Sequence, residues 1–539
     1  MKESLQHLFT HDEKPFLLGA ELVTTRGIIL QEDSRKISGF AEALCEDDRL
    51  DWISITDNAG GNPMLSPDHL GRKVLEAGKH PIIHITCKDR NRNALESQAW
   101  QYASEGLDNL LVLTGDYPVN GFNGIAQPVF DLDSVGLLQM LNDLNNGLRI
   151  RGRRPNTYLN LNSTDFFLGC AVSPFKLTEA EQYMQYAKLR MKIEAGAKYI
   201  IPQLGYDMRK SHELITWLKA NNLDIPVIGN IYRLTAGVAR IFNKGLIPGC
   251  VVSDDLLARI DKEKKADDKG KSFFIDLAAR QYAAFKLLGY RGAYIGGVEK
   301  YDDFSAIVDK AVEYKDADWT DLQDGLVNPQ KSEFHMYEKL ADGPLAGLTD
   351  AARPAPALST EAPRERELKK RDKREVTGLY RFSRLLHNLV FDYEAPLFHA
   401  MRKLFVFLEK HPKLGEASYL NERMSKGALF ECRECGDCSL ADITYLCPQS
   451  QCAKNERNGP CGGSLAEACE VTKNGKECIW VRAYHRKRAY GEDPASLLNR
   501  PPVIKNNDLS GTSGWANCFL LRDHNAFLRN QQSTKRETK

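Results

Sequence analysis

The sequence lacks any long apolar run. No stretch approaches the roughly 18 apolar residues that suggest a membrane-spanning helix, and the N-terminal residues MKESLQHLFTHDEK contain no apolar signal core. An excess of charge is also missing, because 73 basic residues are balanced by 72 acidic ones. This balance argues against a global attraction to nucleic acid or to anionic membranes. We therefore expect a cytoplasmic protein whose partner is a small molecule or another protein.

Cysteine is sparse in the first half of the chain and concentrated near the end. Four cysteines are scattered up to Cys250, whereas eight of the 13 crowd between Cys432 and Cys478. In a reducing compartment, clustered thiols favour a metal site over disulfides. At 539 residues the chain is long enough for a large core and a smaller module. We expect two domains, with the metal in the second.

Eight short apolar or β-branched runs recur through the first 300 residues. Apolar residues follow one another in these runs almost without interruption, which is typical of strands that are buried on both faces. They span residues 16–24, 52–56, 82–87, 110–114, 166–172, 199–204, 225–231 and 292–297. Helix signals separate them, such as Ser66-Pro67 and the capping box of Thr178 with Glu181. This alternation predicts a (β/α)8 TIM barrel with its active site at the C-terminal ends of the strands. The alternative, a doubly wound sheet, lacks the GxGxxG motif after its first strand.

The composition changes after the eighth run. Residues 341–363 are rich in Ala, Pro and Gly and precede the charged run RERELKKRDKRE, which indicates a linker and then a solvated helix. We predict a barrel over residues 1–325, a linker over 326–375 and a smaller cysteine-rich metal-binding domain over 376–539. The charged segment 261–271 is interpreted as a solvated insertion between the seventh and eighth strands.

Polar residues at three predicted strand ends are candidates for chemistry. Glu21 lies within the apolar run FLLGAELVTTR, where burial would raise the pKa of its carboxyl and suit it to donate a proton near neutral pH. An ordinary strand-end glutamate is an equally good explanation. Asp116 follows a glycine turn, which a plain Asx turn also explains, and Gln203 offers an amide that both donates and accepts. Lys192, late in a capped helix, is by default an exposed lysine.

These motifs in their order resemble the catalytic domain of methylenetetrahydrofolate reductases. The resemblance rests on FLLGAELVTTR, ISITDNAG, HITCKDR, LLVLTGDYP, MKIEAGAKYIIPQLGYD and IPVIGNI, over about residues 14–310. It implies a (β/α)8 barrel that holds a flavin, usually FAD, and interconverts 5,10-methylene- and 5-methyltetrahydrofolate. The flavin would carry the hydride chemistry, and the folate and NAD(P)H would react in turn at the same face.

The resemblance also implies roles for individual residues. Glu21 would protonate N10 of the folate and so open its methylene bridge. Asp116 would lie beside both the flavin and the pterin as a catalytic and substrate-binding residue, and Gln203 would contact the substrate. Residues implied to line the flavin site are Thr56, His84, Thr86, Gly115, Asp116 and Lys192.

Three places depart from the family pattern. Thr114 stands where an arginine is common, residues 170–174 read CAVSP where many members have His-Pro, and Gln185 stands where an aspartate commonly binds the ribityl or ribose. These departures make FMN an alternative to FAD. They also leave open a non-catalytic barrel that binds folate or a partner and carries a structural metal module.

The cysteine spacing predicts a metal site. Cys432, Cys435, Cys438 and then Cys447-Pro448 are similar to the ferredoxin pattern for a [4Fe–4S] cluster, with a longer last gap. Four thiolates also satisfy tetrahedral zinc, so iron–sulfur and zinc both stay open. Four further cysteines are enough for a second site, namely Cys452, Cys461, Cys469 and Cys478.

A second resemblance supports the metal prediction. CRECGDC, NGPCGGS and PPVIKNNDLSGTSGWANCF, within about residues 395–522, resemble the cysteine-rich module fused to or associated with some methylenetetrahydrofolate reductases of bacterial one-carbon pathways. The resemblance implies iron–sulfur or zinc binding. With iron–sulfur, ferredoxin or another redox protein could replace NAD(P)H as the electron partner. The oligomeric state stays open, a homo-oligomer included.

Overall fold

The computed structural model describes residues 4–119, 121–124, 126–154, 156–337, 362–472 and 474–529. The chain divides into two compact units. Unit 1 comprises Met1–Ala357 together with Cys461–Glu470, and unit 2 comprises Leu358–Pro460 and Val471–Lys539. About half of the predicted linker, residues 338–361, lies outside the described residues. Within the described part, no helix is both long and apolar enough to cross a membrane.

Unit 1 is built on one parallel sheet that closes on itself. Its described strands are β1 (Leu17–Leu22), β2 (Trp52–Ile55), β3 (His80–Thr86), β4 (Asn109–Leu113), β7 (Phe167–Val172), β8 (Tyr199–Pro202), β9 (Ile228–Tyr232) and β10 (Gly292–Gly296). Between β4 and β7 the chain makes an antiparallel hairpin of β5 (Arg149–Arg151) and β6 (Tyr158–Asn160). The sheet order is β8-β7-β4-β3-β2-β1-β10-β9, and a parallel bridge from Ile200 to Val227 joins its two ends. Each predicted run overlaps one barrel strand, so the (β/α)8 prediction is confirmed.

Helices alternate with these strands. In unit 1 they are α1 (Leu5–Thr10), α2 (Glu32–Glu46), α3 (Pro67–Glu76), α4 (Arg92–Ser104), α5 (Ser134–Asn145), α6 (Glu179–Glu194), α7 (Met208–Ala220), α8 (Ala236–Asn243), α9 (Asp254–Glu263), α10 (Lys271–Leu287), α11 (Tyr301–Glu313) and α12 (Trp319–Leu322). The capping box predicted from Thr178 and Glu181 is present at α6. Ser66 stands at the N-cap of α3 with Pro67 following, but its hydroxyl bonds to the Asp68 carboxylate instead of a backbone N–H.

The lower part of the barrel is filled by large rings. Phe9 of α1 is 1% exposed and makes edge contacts with Trp52, Phe167 and Tyr199. The Trp52 ring fills the space beside Gly19, where a Cβ would lie only 2.1 Å from the ring. A residue without a side chain is therefore needed at position 19. Close packing of this kind makes the interior a core and leaves the C-terminal ends of the strands for a site.

Unit 2 is helical around irregular loops. Its described helices are α13 (Ala362–Glu375), α14 (Gly378–Leu386), α15 (Phe398–Glu409), α16 (Pro412–Phe430), α17 (Pro448–Gln451), α18 (Ile479–Arg488) and α19 (Gly514–Phe519). An aromatic cluster joins α15 to α19, with Phe398 and Phe405 both within ring contact of Phe519. Trp480 of α18 is 1% exposed and donates its indole N–H to the carbonyl of Glu456 at 3.2 Å. Trp480 is therefore part of the packed interior of unit 2.

Candidate functional site

Five of the predicted site residues of the barrel lie on the inward face of their strands or continue that face just beyond the strand end. Side chains two apart on a strand point to the same side, and the buried interior cluster contains Leu17, Trp52, Ile82 and Ile201. Every second residue after these four points to the same interior face, up to the C-terminal ends of the strands. The residues reached are Glu21, Thr56, His84, Thr86 and Gln203.

Glu21 sits near the end of β1 in a largely desolvated position. Burial raises the pKa of its carboxyl to about 7. Burial and then the Glu21 charge also raise the pKa of Tyr294 and of Tyr232, which places both phenols near the carboxyl. A substantial fraction of Glu21 is therefore protonated at neutral pH, as a proton donor requires.

Asp116 links two strand ends. Its carboxylate accepts a hydrogen bond from the backbone N–H of Gly60, at 2.8 Å, in the loop after β2. Gly115 has φ of +87°, and a Cβ there would lie 2.8 Å from the side chain of Lys88. A glycine is needed at this turn, because the backbone is left-handed and the space is already filled.

A buried polar network missed in the sequence orients the end of β3. Asp57 accepts hydrogen bonds from the hydroxyl of Thr86 at 2.7 Å and from Arg90 Nη1 at 2.8 Å. His84 Nε2 lies 2.7 Å from the Ser54 hydroxyl, and burial lowers the pKa of His84 to about 4. His84 is thus neutral at pH 7. The signal available in the sequence was the run of polar residues Thr56-Asp57-Asn58 directly after a strand.

Cys250 is a second residue that the sequence did not single out. Burial, and then the charges of Asp116 and Glu21, raise the pKa of its thiol to about 12, while Lys176 acts in the opposite direction. The thiol therefore lies near both predicted carboxylates, although it follows no strand motif. No local pattern in the sequence could have identified it.

Lys192 does not lie on the surface as its helical position suggested. It is 9% exposed, and its Nζ donates to the carbonyl of Ala171 on β7 at 2.6 Å. The default expectation of an exposed lysine is therefore wrong, because α6 packs this face against the barrel. Burial raises the pKa of the Cys170 thiol, and the positive charge of Lys192 lies close enough to oppose this rise.

Several hydroxyls near the strand ends are available to a ligand. Among the described residues, the side-chain oxygens of Thr24, Thr56 and Ser173 are buried without a hydrogen-bond partner. Buried hydroxyls in folded proteins are normally paired. A polar ligand at this end of the barrel would supply the missing partners.

Gln203 follows β8 and faces a segment from late in the chain. Its Oε1 accepts from the backbone N–H of Leu204 at 3.0 Å. A Cβ at Gly249 would lie 3.1 Å from Gln203 Nε2 and 3.5 Å from the carbonyl oxygen of Gly462. Residues Cys461–Glu470 of unit 1 thus reach the strand-end region, which sequence reasoning did not anticipate.

In unit 2 the first four predicted cysteine ligands line one pocket. Cys432, Cys435, Cys438 and Cys447 share its wall with cationic side chains that include Lys426 and Arg457. Burial raises the pKa of the Cys438 thiol to about 11, with Lys426 opposing the rise and the neighbouring cysteines adding to it. Across the described residues, no three His, Cys, Asp or Glu side chains are grouped so as to hold a metal ion.

The second four cysteines are divided between the units. Cys452 and Cys478 belong to unit 2, and the charge of Cys478 contributes to the raised pKa of Cys452, which burial mainly causes. Cys461 and Cys469 belong to unit 1. Metal binding by these four residues stays a prediction.

Two family models match the chain. One, described as Methylenetetrahydrofolate reductase, matches residues 40–293, which hold most of the barrel. The other, described as Methylene-tetrahydrofolate reductase C terminal, matches residues 411–503, which hold the cysteine loops. The chain belongs to the methylenetetrahydrofolate reductase family. The resemblance drawn from the sequence motifs is confirmed, including the C-terminal module on the same polypeptide.

Among curated relatives, Methylenetetrahydrofolate reductase 2 of Saccharomyces cerevisiae is 27% identical over 194 residues. The match covers 35% of this chain and 29% of the yeast protein, so the chain spans less than a third of that relative's length.

Solved structures also align with part of the chain. A protein from Clostridium thermocellum that binds two copies of 5-methyl-5,6,7,8-tetrahydrofolic acid aligns with a TM-score of 0.41 and 16% identity, over 57% of this chain and 98% of that chain. A 2,3-dimethylmalate lyase aligns with a TM-score of 0.30 and 12% identity, over 57% of this chain and 83% of that chain.

Proposed function

We propose that this member of the methylenetetrahydrofolate reductase family is a flavin-dependent oxidoreductase that interconverts 5,10-methylene- and 5-methyltetrahydrofolate. The observation that carries the proposal is the position of the Glu21 carboxyl, near the C-terminal end of β1 and against Gly296 of β10, where burial raises its pKa to about 7. A partly protonated carboxyl can donate a proton to a ring nitrogen of the folate and take it back in the reverse direction. Asp116 and Gln203 would position the pterin from the ends of β4 and β8.

The residues present fit a flavin. The buried hydroxyls of Thr56 and Ser173 have no partner in the described part of the chain and would donate to it or accept from it. His84 is neutral, so it can hydrogen-bond without adding charge. The residues proposed to hold the cofactor are Thr56, His84, Thr86, Gly115, Asp116 and Lys192. When bound, a flavin supplies the hydride-transfer chemistry that no side chain provides. We expect FAD, with FMN as the alternative.

We further propose that Cys432, Cys435, Cys438 and Cys447 hold a [4Fe–4S] cluster. In such a cluster each thiolate binds a different iron, so the ligands are spread around a cavity and do not meet at a single ion. These four cysteines line one pocket. Lys426 and Arg457 line the same pocket and would offset the negative charge of a thiolate-bound cluster. A cluster supplies one-electron chemistry and would suit a ferredoxin as electron partner, whereas zinc at this site would leave NAD(P)H as the simpler donor.

The anaerobic absorption spectrum of the purified chain, before and after addition of 5-methyltetrahydrofolate, tests the proposal. A flavin band that bleaches on addition supports a folate oxidoreductase, and broad absorption beneath it supports iron–sulfur. A colourless protein that does not take up added FAD or FMN would contradict the proposal and favour a non-catalytic folate-binding or partner-binding barrel. A flavin band unchanged by the folate would contradict the proposed substrate.

A further inference from the structure

Residues Cys461–Glu470 form a compact hairpin, called here the 461–470 hairpin. Leu465 and Ala468 exchange both backbone hydrogen bonds, at 3.1 and 3.0 Å. The two residues between them, Ala466 and Glu467, have φ of 48° and 72°, as a two-residue type I′ hairpin turn requires. The Glu470 carboxylate folds back and accepts a hydrogen bond from the Cys461 thiol. The segment therefore has internal structure of its own.

Lys176 attaches this hairpin to the barrel. It follows β7, is 2% exposed, and donates from Nζ to the carbonyl oxygens of Gly462 and Ser464, the second at 2.6 Å. Hydrogen bonds from a charged donor are roughly twice as strong as neutral ones. A second contact lies after α8, where a Cβ at Gly245 would be 2.5 Å from the side chain of Leu465. The hairpin is thus held at both its entrance and its turn.

The anchored hairpin reaches the predicted site residues. Gly462 has φ of +97°, and a Cβ there would lie 3.6 Å from Gln185 Oε1 and 3.9 Å from Ser173 Cβ. Gly249 stands between Gly462 and the amide of Gln203. Because Gly249 and Gly462 have no side chains, two segments of backbone can approach the amide of Gln203. The proposed function places this amide against the folate.

We propose that the 461–470 hairpin forms a wall of the folate site and that Lys176 is the positioning residue that holds the wall in place. This inference rests on the proposed function, since it takes Gln203 as a folate contact. Gln203 Oε1 already accepts from Leu204 N, so its Nε2 faces the side that Gly249 and Gly462 enclose. With the hairpin seated, this side of the site is shielded from water and the amide is held in one orientation. Preorganised polar groups of this kind bind more tightly than mobile ones.

The test compares Lys176→Met with Lys79→Met in the full chain. Lys79 is a matched control because it is also buried and also donates to two backbone carbonyls, of Asp47 at 2.7 Å and Leu50 at 3.0 Å, but it precedes β3 at the other end of the barrel. Hydrogen exchange of the hairpin amides and the KM and kcat for 5-methyltetrahydrofolate are measured for both variants. We expect Lys176→Met to speed exchange at 462–465 and to raise KM at least tenfold, with a smaller change in kcat. Lys79→Met is expected to lower Tm without changing either measurement.

A second variant protects the test against a general loss of stability. Gly249→Ala leaves Lys176 intact but adds a Cβ between Gln203 and the hairpin at a left-handed backbone position, so we expect a raised KM here too. Unchanged KM in both variants would overturn the inference, as would a raised KM in Lys176→Met with unaltered exchange in the hairpin. A wild-type chain that neither binds nor oxidises 5-methyltetrahydrofolate would overturn the proposed function itself, a result obtained before any variant is compared.

Discussion

Glu21 on β1 and Gly296 on the adjacent β10 are in direct contact. A Cβ built at Gly296 would lie 2.4 Å from Glu21 Oε2 and 3.1 Å from its Cδ. The two strands pair in parallel through Ala20 and Ile295, which brings residues 21 and 296 side by side at the end of the ladder. The absence of a side chain at 296 therefore decides where the Glu21 carboxyl can rest.

Gly296→Ala should displace that carboxyl. The added methyl group overlaps its present position, and the end of a glutamate side chain can move away at little cost to folding. A misplacement of about 1 Å can reduce a rate by about 100-fold, so we expect a fall in kcat of up to that size with little change in Tm. Gly39→Ala in α2 is the control, because no atom lies within 4 Å of its Cβ position, and its turnover should equal that of the wild type.

Glu21→Gln should abolish folate turnover while the flavin stays bound. The amide keeps the shape of the carboxyl but cannot donate the same proton, and loss of a general acid typically costs about 10²- to 10⁴-fold in rate. Turnover of 5-methyltetrahydrofolate and the flavin absorbance of the purified variant are the measurements. Wild-type turnover would remove Glu21 from the mechanism.

The same substitution should stabilise the protein at high pH. The unfolded carboxyl has a pKa near its ordinary value of 4.5 and the folded one about 7, so the folded state retains a proton that the unfolded chain releases. Stability is therefore lost as pH rises from about 4.5 to about 7, by about 3 kcal/mol in total. Urea unfolding should show Glu21→Gln more stable than the wild type at pH 8 and equal to it at pH 4. A difference that does not depend on pH would contradict the raised pKa.

Phe9→Ala should strongly destabilise unit 1. The ring packs against Trp52, Phe167 and Tyr199 at the lower end of the barrel, and its removal leaves a cavity that rigid rings and strands cannot fill. Burial of this kind predicts a loss of about 3–5 kcal/mol in the free energy of unfolding, measured by urea denaturation. Phe122→Ala, at a side chain that is 81% exposed, should cost little. Equal losses for the two variants would contradict the packing argument.

Cys438→Ser should reduce the iron content of the purified protein. An intact [4Fe–4S] cluster corresponds to about four irons per chain, measured together with zinc by elemental analysis of protein prepared without oxygen. Cys45→Ser changes a cysteine of α2 in unit 1 and should leave the iron unchanged. One zinc per chain and no iron would contradict the proposed cluster and favour the structural alternative.

The positions of the barrel strands and the candidate residues at their ends could be predicted from the sequence, because strand burial and helix capping are local properties. The apolar run around Glu21 shows both that a strand forms and that its one carboxylate will be desolvated. Thr178 and Glu181 show the start of α6 because both partners of the capping box lie within one helical turn.

Other features depend on contacts between distant parts of the chain. Cys250 joins the site only when the segment after α8 packs near Glu21 and Asp116, and Lys192 becomes buried only when α6 packs on β7. The clearest case is the bond from Lys176 to Gly462, which joins positions 286 residues apart. The sequence by itself determined the barrel, the strand-end carboxylates and the cysteine motif, since each is encoded by neighbours along the chain. Only the tertiary structure decided which glycines and lysines would meet at the site, because close approach between distant backbones leaves no periodic pattern in the sequence.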